Sequence, residues 1–87
     1  MNQTDLSIRV NALPGQYAGR LGQDGLGDLR DAARAGEWAE ALEILIAGLD
    51  KTRTPITVTE YGDLSELAAA IGGLDALRIA DLNIASE

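Results

Sequence analysis

The stretch that decides the fold is residues 29–55, which read LRDAARAGEWAEALEILIAGLDKTRTP. Its second half carries large apolar side chains at positions i, i+4, i+7 and i+11, the spacing of one buried helix face. These side chains are Trp38, Leu42, Leu45 and Leu49, with Ala41 and Ile46 beside them. The spacing predicts a helix over 37–50. Gly36 and its neighbours alone separate this helix from the preceding apolar pattern, and so short a connection favours an antiparallel helical hairpin.

The first segment of the chain favours another short helix. Its apolar residues recur at the helical spacing i, i+4 and i+7. They are Leu6, Val10 and Leu13. We expect a helix over 5–13 that is capped by Thr4 or Asp5 and stopped by Pro14. A strand is the competing interpretation, because Ile8 completes an alternating pattern with its apolar neighbours.

Residues 16–27 predict a loop, because four glycines fall within a few residues of one another and glycine disfavours regular structure. The first helix of the hairpin then starts near Asp24 and runs to Ala35. Its inward side chains are Leu26, Leu29 and Ala33. Gly36 is a typical residue at which such a helix ends.

A further helix is predicted over 58–71. Thr54 and Pro55 interrupt the chain, and Thr57 with Glu60 then has the form of a capping box. The expected buried face consists of Tyr61, Leu64, Ala68 and Ile71. The tail after Gly73 fits either helix or extended structure, and we interpret it as a short helical turn followed by an irregular apolar tail.

These patterns predict an all-α protein, a compact bundle of three to four short helices with a central antiparallel helical hairpin. The length of 87 residues corresponds to one domain, 1–87, of which the tail 74–87 is structurally uncertain. No apolar run approaches the ~20 residues of a membrane span, and the N-terminus lacks the pattern of a signal peptide. We therefore expect a bacterial cytoplasmic protein.

The composition excludes most catalytic chemistry. The chain has no His and no Cys, so it lacks imidazole and thiolate metal ligands as well as Ser-His and Cys-His nucleophile pairs. Fourteen acids against seven bases give a net charge of −7, which repels the phosphates of nucleic acids and attracts basic partners. We expect no enzyme activity and no cofactor. A small carboxylate enzyme is the remaining catalytic option.

Acidic side chains recur at helical spacing in three places, and each set is predicted to occupy one side of its helix. Solvated polar faces commonly look like this. Like charges at positions i and i+4 nevertheless destabilise a helix by ~0.2–0.5 kcal/mol per pair. We therefore expect that some of these acids bind a partner. The predicted partner-binding residues are Glu37, Glu40 and Glu43, followed by Asp24, Asp28 and Asp31. The third set is Glu60, Asp63 and Glu66.

Other sites have weaker signals. Residues 24–28 put two acids beside glycines, but they lack the alternating acids and terminal Glu of a calcium loop, so we expect no metal. The glycines of 19–27 follow no strand and precede no Gly-Lys-Ser/Thr motif, which argues against phosphate binding. Trp38 could be a hot spot for a partner, but its place in the apolar stripe favours a packing role.

Three resemblances can be stated. Residues 29–55 look like one tetratricopeptide-type hairpin. The unit occurs once, whereas a repeat solenoid needs about three units to be stable, so the likeness reflects the general physics of helical hairpins. Length and acidity are similar to those of acyl carrier proteins, but the order Asp63-Leu64-Ser65 does not match their motif.

The third resemblance covers roughly residues 8–71. It rests on VNALPG at 10–15, on LR at 29–30, on AGEW at 35–38 with Leu42 and Leu45, and on PIT at 55–57 with Glu60 and Leu64. In this order the chain resembles small helical immunity proteins of contact-dependent growth inhibition and related polymorphic-toxin systems, of the MafI-like type. The resemblance implies that the chain binds and neutralises a cognate toxin domain, often a nuclease, as a monomer that forms a heterodimer with the toxin.

The alternative is a non-catalytic adaptor or a self-associating structural bundle. Its docking element would be the apolar tail. The apolar residues of that tail are Leu77, Ile79, Leu82 and Ile84.

Overall fold

The computed structural model describes residues 2–72 and 84–85. Within them, four α-helices pack into a compact bundle, and α2 and α3 form the helical hairpin at its centre, as predicted. The helices are α1 (Gln3–Gln16), α2 (Gln23–Arg34), α3 (Trp38–Lys51) and α4 (Val58–Ile71), and the strands are β1 (Ile56–Thr57) and β2 (Ile84–Ala85). None of these helices is both long enough and apolar enough to cross a bilayer.

The first segment is a helix and not a strand. Its predicted apolar residues are buried, whereas Ile8 is 64% exposed, which breaks the alternation that a strand would need. Asn2 caps the helix instead of Thr4 or Asp5, because its Oδ1 accepts a hydrogen bond of 2.8 Å from the backbone N–H of Asp5. The helix also continues through Pro14 to Gln16. Burial of Leu13 and Pro14 outweighs the single backbone hydrogen bond that the proline removes.

The glycine-rich loop is shorter than predicted. A single 3-10 turn, Ala18–Arg20, is followed by α2 from Gln23 onwards, so Gly25 and Gly27 lie inside the helix. Each glycine costs about 1 kcal/mol relative to alanine in a helix interior. Packing of the apolar face of α2 overrides that preference. The buried residues of this face are Leu29, Ala32 and Ala33, whereas Leu26 is half-buried.

Both helices of the hairpin end in the same way. Gly36 takes a left-handed φ of +76°, and the N–H of Glu37 then donates to the carbonyl of Ala32 at 3.0 Å. This is a Schellman motif, and it lies at Gly36, where the sequence predicted that α2 ends. At the end of α3 the left-handed position is Arg53, with φ +54°, and the N–H of Thr54 donates to the carbonyl of Leu49 at 3.0 Å.

The apolar stripe of α3 forms the centre of the core. All of its leucines are fully buried, and Trp38 is half-buried against the same cluster, which agrees with the packing role. The fully buried side chains around it come from every helix and from β1. The largest of them are Tyr17, Leu29, Ile56, Leu64, Leu67 and Val10.

The capping box at the start of α4 is confirmed. The N–H of Glu60 donates to Thr57 Oγ1 at 3.0 Å, and the N–H of Thr57 donates to Glu60 Oε1 at 2.9 Å. Leu64 is buried as predicted, and Leu67, which the prediction omitted, is buried too. Tyr61, Ala68 and Ile71 are half-buried and pack against the core.

The tail prediction is wrong at residues 84–85. This pair forms β2, which pairs in parallel with β1, so that Ile56 faces Ile84 and Thr57 faces Ala85. Extended structure prevails here because β1 offers backbone groups that an irregular tail would leave unpaired. The predictions for 74–83 and 86–87 lie outside the described residues.

Candidate protein-binding surface

An open groove of about 490 Å³ runs between α2 and α3. We call it the acidic groove. Three carboxylates and two apolar side chains line it, namely Asp28, Asp31, Ala32, Glu40 and Ile44. Three of the six predicted partner-binding acids therefore lie on one surface, although they come from two different helices.

Helix periodicity explains this arrangement. Asp28 and Asp31 are three residues apart on α2, and Glu40 and Ile44 are four residues apart on α3, so each pair shares one side of its helix. The tight connection at Gly36 then places the two sides next to each other. Ile44 is half-buried, so the floor of the groove is apolar while its rim is negatively charged.

The other three predicted acids are exposed but do not line the groove. They are Asp24, Glu37 and Glu43. Glu37, Glu40 and Glu43 are all exposed, but Glu40 alone of the three lines the groove. Glu37 sits at the N-cap of α3, one turn before Glu40.

Within residues 2–72 and 84–85, none of these six acids takes part in an ion pair. The acids of α4 behave differently. Arg9 contacts Glu66 at 2.7 Å and Asp63 at 3.9 Å, and Arg20 pairs with Glu60. Asp63 and Glu66 remain exposed on α4, as a solvated acidic face requires, whereas Glu60 is buried against Arg20.

The Arg20–Glu60 pair is the most buried of these contacts. Arg20 Nη1 donates to Glu60 Oε1 at 2.7 Å, and Nη2 donates to Oε2. The Glu60 side chain is 12% exposed and that of Arg20 29%. Hydrogen bonds from Arg20 lower the pKa of Glu60 to about 2, and the pKa of Arg20 is raised by the same pair. This contact joins the turn after α1 to the first turn of α4.

Tyr17 packs beneath that pair. The Arg20 guanidinium lies 4.5 Å from the centre of its ring, and the residue is fully buried. Its hydroxyl finds no hydrogen-bond partner in the described part of the chain. Burial, with a further contribution from Glu60, raises the pKa of Tyr17 to about 12.

Replacement of Tyr17 by phenylalanine should therefore raise the free energy of unfolding by about 1 kcal/mol. The change removes a buried hydroxyl without a partner and keeps the ring under Arg20. Urea unfolding followed by tryptophan fluorescence measures the effect, with Tyr61→Phe as the half-buried control. A loss of stability in Tyr17→Phe would show that the hydroxyl is hydrogen-bonded in solution.

No metal site emerges from the described ranges. They contain no group of three or more His, Cys, Asp or Glu side chains that could hold an ion. Residues 24–28, which were weighed as a calcium loop, lie within α2. Their backbone carbonyls therefore belong to a helix and not to a ligand loop.

Comparisons with protein-family models, with curated proteins and with solved structures find no match for this chain. A functional assignment therefore depends on the surface itself.

Proposed function

We propose that this chain is an immunity protein, which binds a cognate toxin domain stoichiometrically inside the producing cell and blocks it. The observation that carries the proposal is the acidic groove, where carboxylates of two helices surround an apolar floor. Toxins that cleave nucleic acids need basic surfaces to hold phosphate. An acidic protein can occupy such a surface in place of the substrate.

Two features of the groove favour a protein partner. Its carboxylates are exposed, so they can be reached without rearrangement of the fold. Ile44 and Ala32 add an apolar centre to the charged rim, which is the usual composition of a binding patch. A basic residue of the partner can cover Ile44 with its aliphatic stem while its charged end reaches Asp28, Asp31 or Glu40.

The net charge of −7 supports fast capture of such a partner. Electrostatic steering raises association rates to ~10⁸–10⁹ M⁻¹s⁻¹ at low salt, compared with ~10⁵–10⁶ for neutral partners. Speed matters for an inhibitor whose target is lethal while it is free. Binding requires no chemical reaction by the chain itself, so the proposed role is non-catalytic. The proposed place of binding is the cytoplasm of the producing cell.

The test begins with the protein encoded immediately upstream. We expect its C-terminal domain to be basic and toxic on expression, and co-expression of this chain should restore growth. Purified domain and chain should form a one-to-one complex. A domain that kills cells regardless of the chain and does not bind it would contradict the proposed function.

Two matched variants locate the site. The groove variant carries Asp28→Lys, Asp31→Lys and Glu40→Lys, and the control variant carries the equivalent changes at Asp24, Glu37 and Glu43. Both change the net charge by the same amount, so long-range steering falls equally in both. We expect affinity for the toxin domain to fall ~100-fold in the groove variant and less than ~10-fold in the control, as loss of close charge contacts implies.

Surface plasmon resonance across a range of salt concentrations separates the two contributions. Equal losses in the two variants would show that only total charge matters and would contradict the assignment to the groove. Unchanged affinity in both, with wild-type binding intact, would overturn the charge-based mechanism and leave the inhibitory function standing.

A further inference from the structure

Both walls of the acidic groove are helices. Asp28, Asp31 and Ala32 line it from α2, and Ile44 lines it from the middle of α3. The backbone N–H and C=O groups of these residues are already bonded within the hairpin, including the carbonyls of Asp31 and Ala32 near the end of α2. An extended occupant would lose water from its own backbone there and gain few partners, which is costly. A helix bonds its own backbone, so the groove favours a helical occupant.

A leucine of the chain itself packs on the row of α3 that carries Ile44. Glu40, Ile44 and Gly48 recur every four residues, so they lie on one side of the helix. Leu21 lies against Gly48, with its Cδ2 only 2.9 Å from the position that a Cβ there would occupy. One turn before this contact, Ile44 is partly exposed. An aliphatic side chain of a partner at Ile44 would therefore extend a line of packing that Leu21 begins.

The charge of the groove defines the rest of its occupant. Asp28 and Asp31 stand on one wall and Glu40 on the other, and all three are exposed. Within the described residues none of them takes part in an ion pair. A complementary surface carries positive charge on both flanks of its apolar centre. A second copy of the chain, with its charge of −7, does not meet this requirement.

We propose that the acidic groove binds a basic amphipathic helix of the partner. This helix places an aliphatic side chain against Ile44 and a basic side chain on each flank. On a helix, residues three positions before and three positions after a given residue lie on opposite sides of it. The expected pattern is therefore basic-x-x-aliphatic-x-x-basic. The aliphatic stems of the two basic residues cover the rest of the apolar floor, and their charged ends reach the carboxylates.

The inference rests on the proposed function for the identity of the partner, a toxin domain, and it specifies which part of that domain is recognised. Helices that lay an apolar stripe into a groove between two other helices are a common mode of recognition. The side-chain rows of α2 and α3 run side by side, so a row of the incoming helix can pack between them.

Three synthetic peptides of about 20 residues, built on alanine so that a helix forms in water, test the inference without the toxin. The helical probe carries a leucine with an arginine three positions before it and another three positions after it. The shuffled probe has the same composition, but its arginines lie on the side opposite the leucine. The proline probe has the sequence of the helical probe with two interior alanines replaced by proline, which prevents a helix.

Fluorescence anisotropy at one fixed salt concentration measures the affinity of each peptide for the full chain. We expect the helical probe to bind about tenfold more tightly than either of the other two, because it alone combines apolar and charge contacts without stranding its backbone. All three peptides carry the same charge, so long-range attraction is the same for each.

A pair of uncharged substitutions locates the contact. Ile44→Ser should weaken binding of the helical probe about tenfold, because it removes the apolar floor and leaves the three carboxylates in place. Ile8→Ser is the matched control, since Ile8 is 64% exposed on α1, and it should leave the affinity unchanged. Circular dichroism confirms that both variants are folded.

Equal affinity of the wild-type chain for the helical and proline probes, or for the helical and shuffled probes, would overturn the inference. So would equal losses in Ile44→Ser and Ile8→Ser. None of these results touches the proposed function, which depends on binding of the upstream toxin domain. A chain that selects the helical probe but does not bind that domain would contradict the proposed function and leave the specificity of the groove established.

Discussion

Replacing Arg20 with leucine should lower the free energy of unfolding by about 3 kcal/mol, the low end of the ~3–5 kcal/mol expected when one partner of a buried ion pair is removed. Glu60 would remain largely buried, and the Thr57 N–H and the Gln16 side chain would be the donors left to its carboxylate. The low end applies because almost a third of the Arg20 side chain is exposed. Native proteins have total stabilities of only about 5–15 kcal/mol, so a loss of this size is a large fraction of the whole.

Urea unfolding measures the loss, and two variants calibrate it. Arg9→Leu removes an arginine whose partners are mostly exposed, so it should cost less than about 1 kcal/mol. Arg20→Leu combined with Glu60→Gln removes the stranded charge as well, and should recover at least about 1 kcal/mol of the loss. Similar effects of Arg9→Leu and Arg20→Leu would contradict the structural role assigned to the buried pair.

The Arg20–Glu60 pair could not be predicted from the sequence, whereas the capping box beside it could. The capping box of Thr57 and Glu60 was predictable because its partners are three residues apart. Arg20 is separated from Glu60 by 40 residues, and no local pattern links the two. The hairpin was predictable for the same reason as the capping box: the apolar stripe of α3 and the stop at Gly36 are both local signals.

The incorrect predictions of where α1 ends and where α2 begins have a common physical cause. Pro14 and the glycines of α2 have low intrinsic helix propensity, and each suggested an end or a loop. The structure continues both helices, because neighbouring residues such as Leu13 and Leu29 are buried in the core. Tertiary packing is worth more than one residue's propensity, but the packing partners are known only once the fold is known.

The candidate surface was half predictable. Periodicity identified all six exposed acids, yet it could not tell which of them share a groove. That depends on how α3 is rotated about its axis relative to α2. The rotation brings Glu40 towards Asp28 and Asp31 and leaves Glu43 outside the groove. Ile44, the larger of the two apolar side chains in the groove, was not predicted, because it stands beside the buried stripe rather than within it.

Acid should destabilise the protein in a window set by Glu60. The pKa of this carboxyl falls from 4.5 to about 2 on folding, mainly because Arg20 donates hydrogen bonds to the ionised form. A group whose pKa is lower in the folded state stabilises the fold above its unfolded pKa. That stability is lost as pH falls from about 4.5 to about 2, because the unfolded chain takes up the proton first.

The comparison of wild type with Glu60→Gln isolates this effect from the titration of other acids. We expect wild type to be more stable by about 2–3 kcal/mol at neutral pH, a value discounted for the partial exposure of Arg20. The difference should hold down to about pH 5 and then shrink towards zero near pH 2, as linkage requires. Glu66→Gln, which alters an exposed pair, should differ from wild type by less than about 1 kcal/mol throughout. A Glu60→Gln difference that stays constant down to pH 2 would contradict the lowered pKa, because the advantage of wild type would then not depend on an ionised carboxylate facing Arg20.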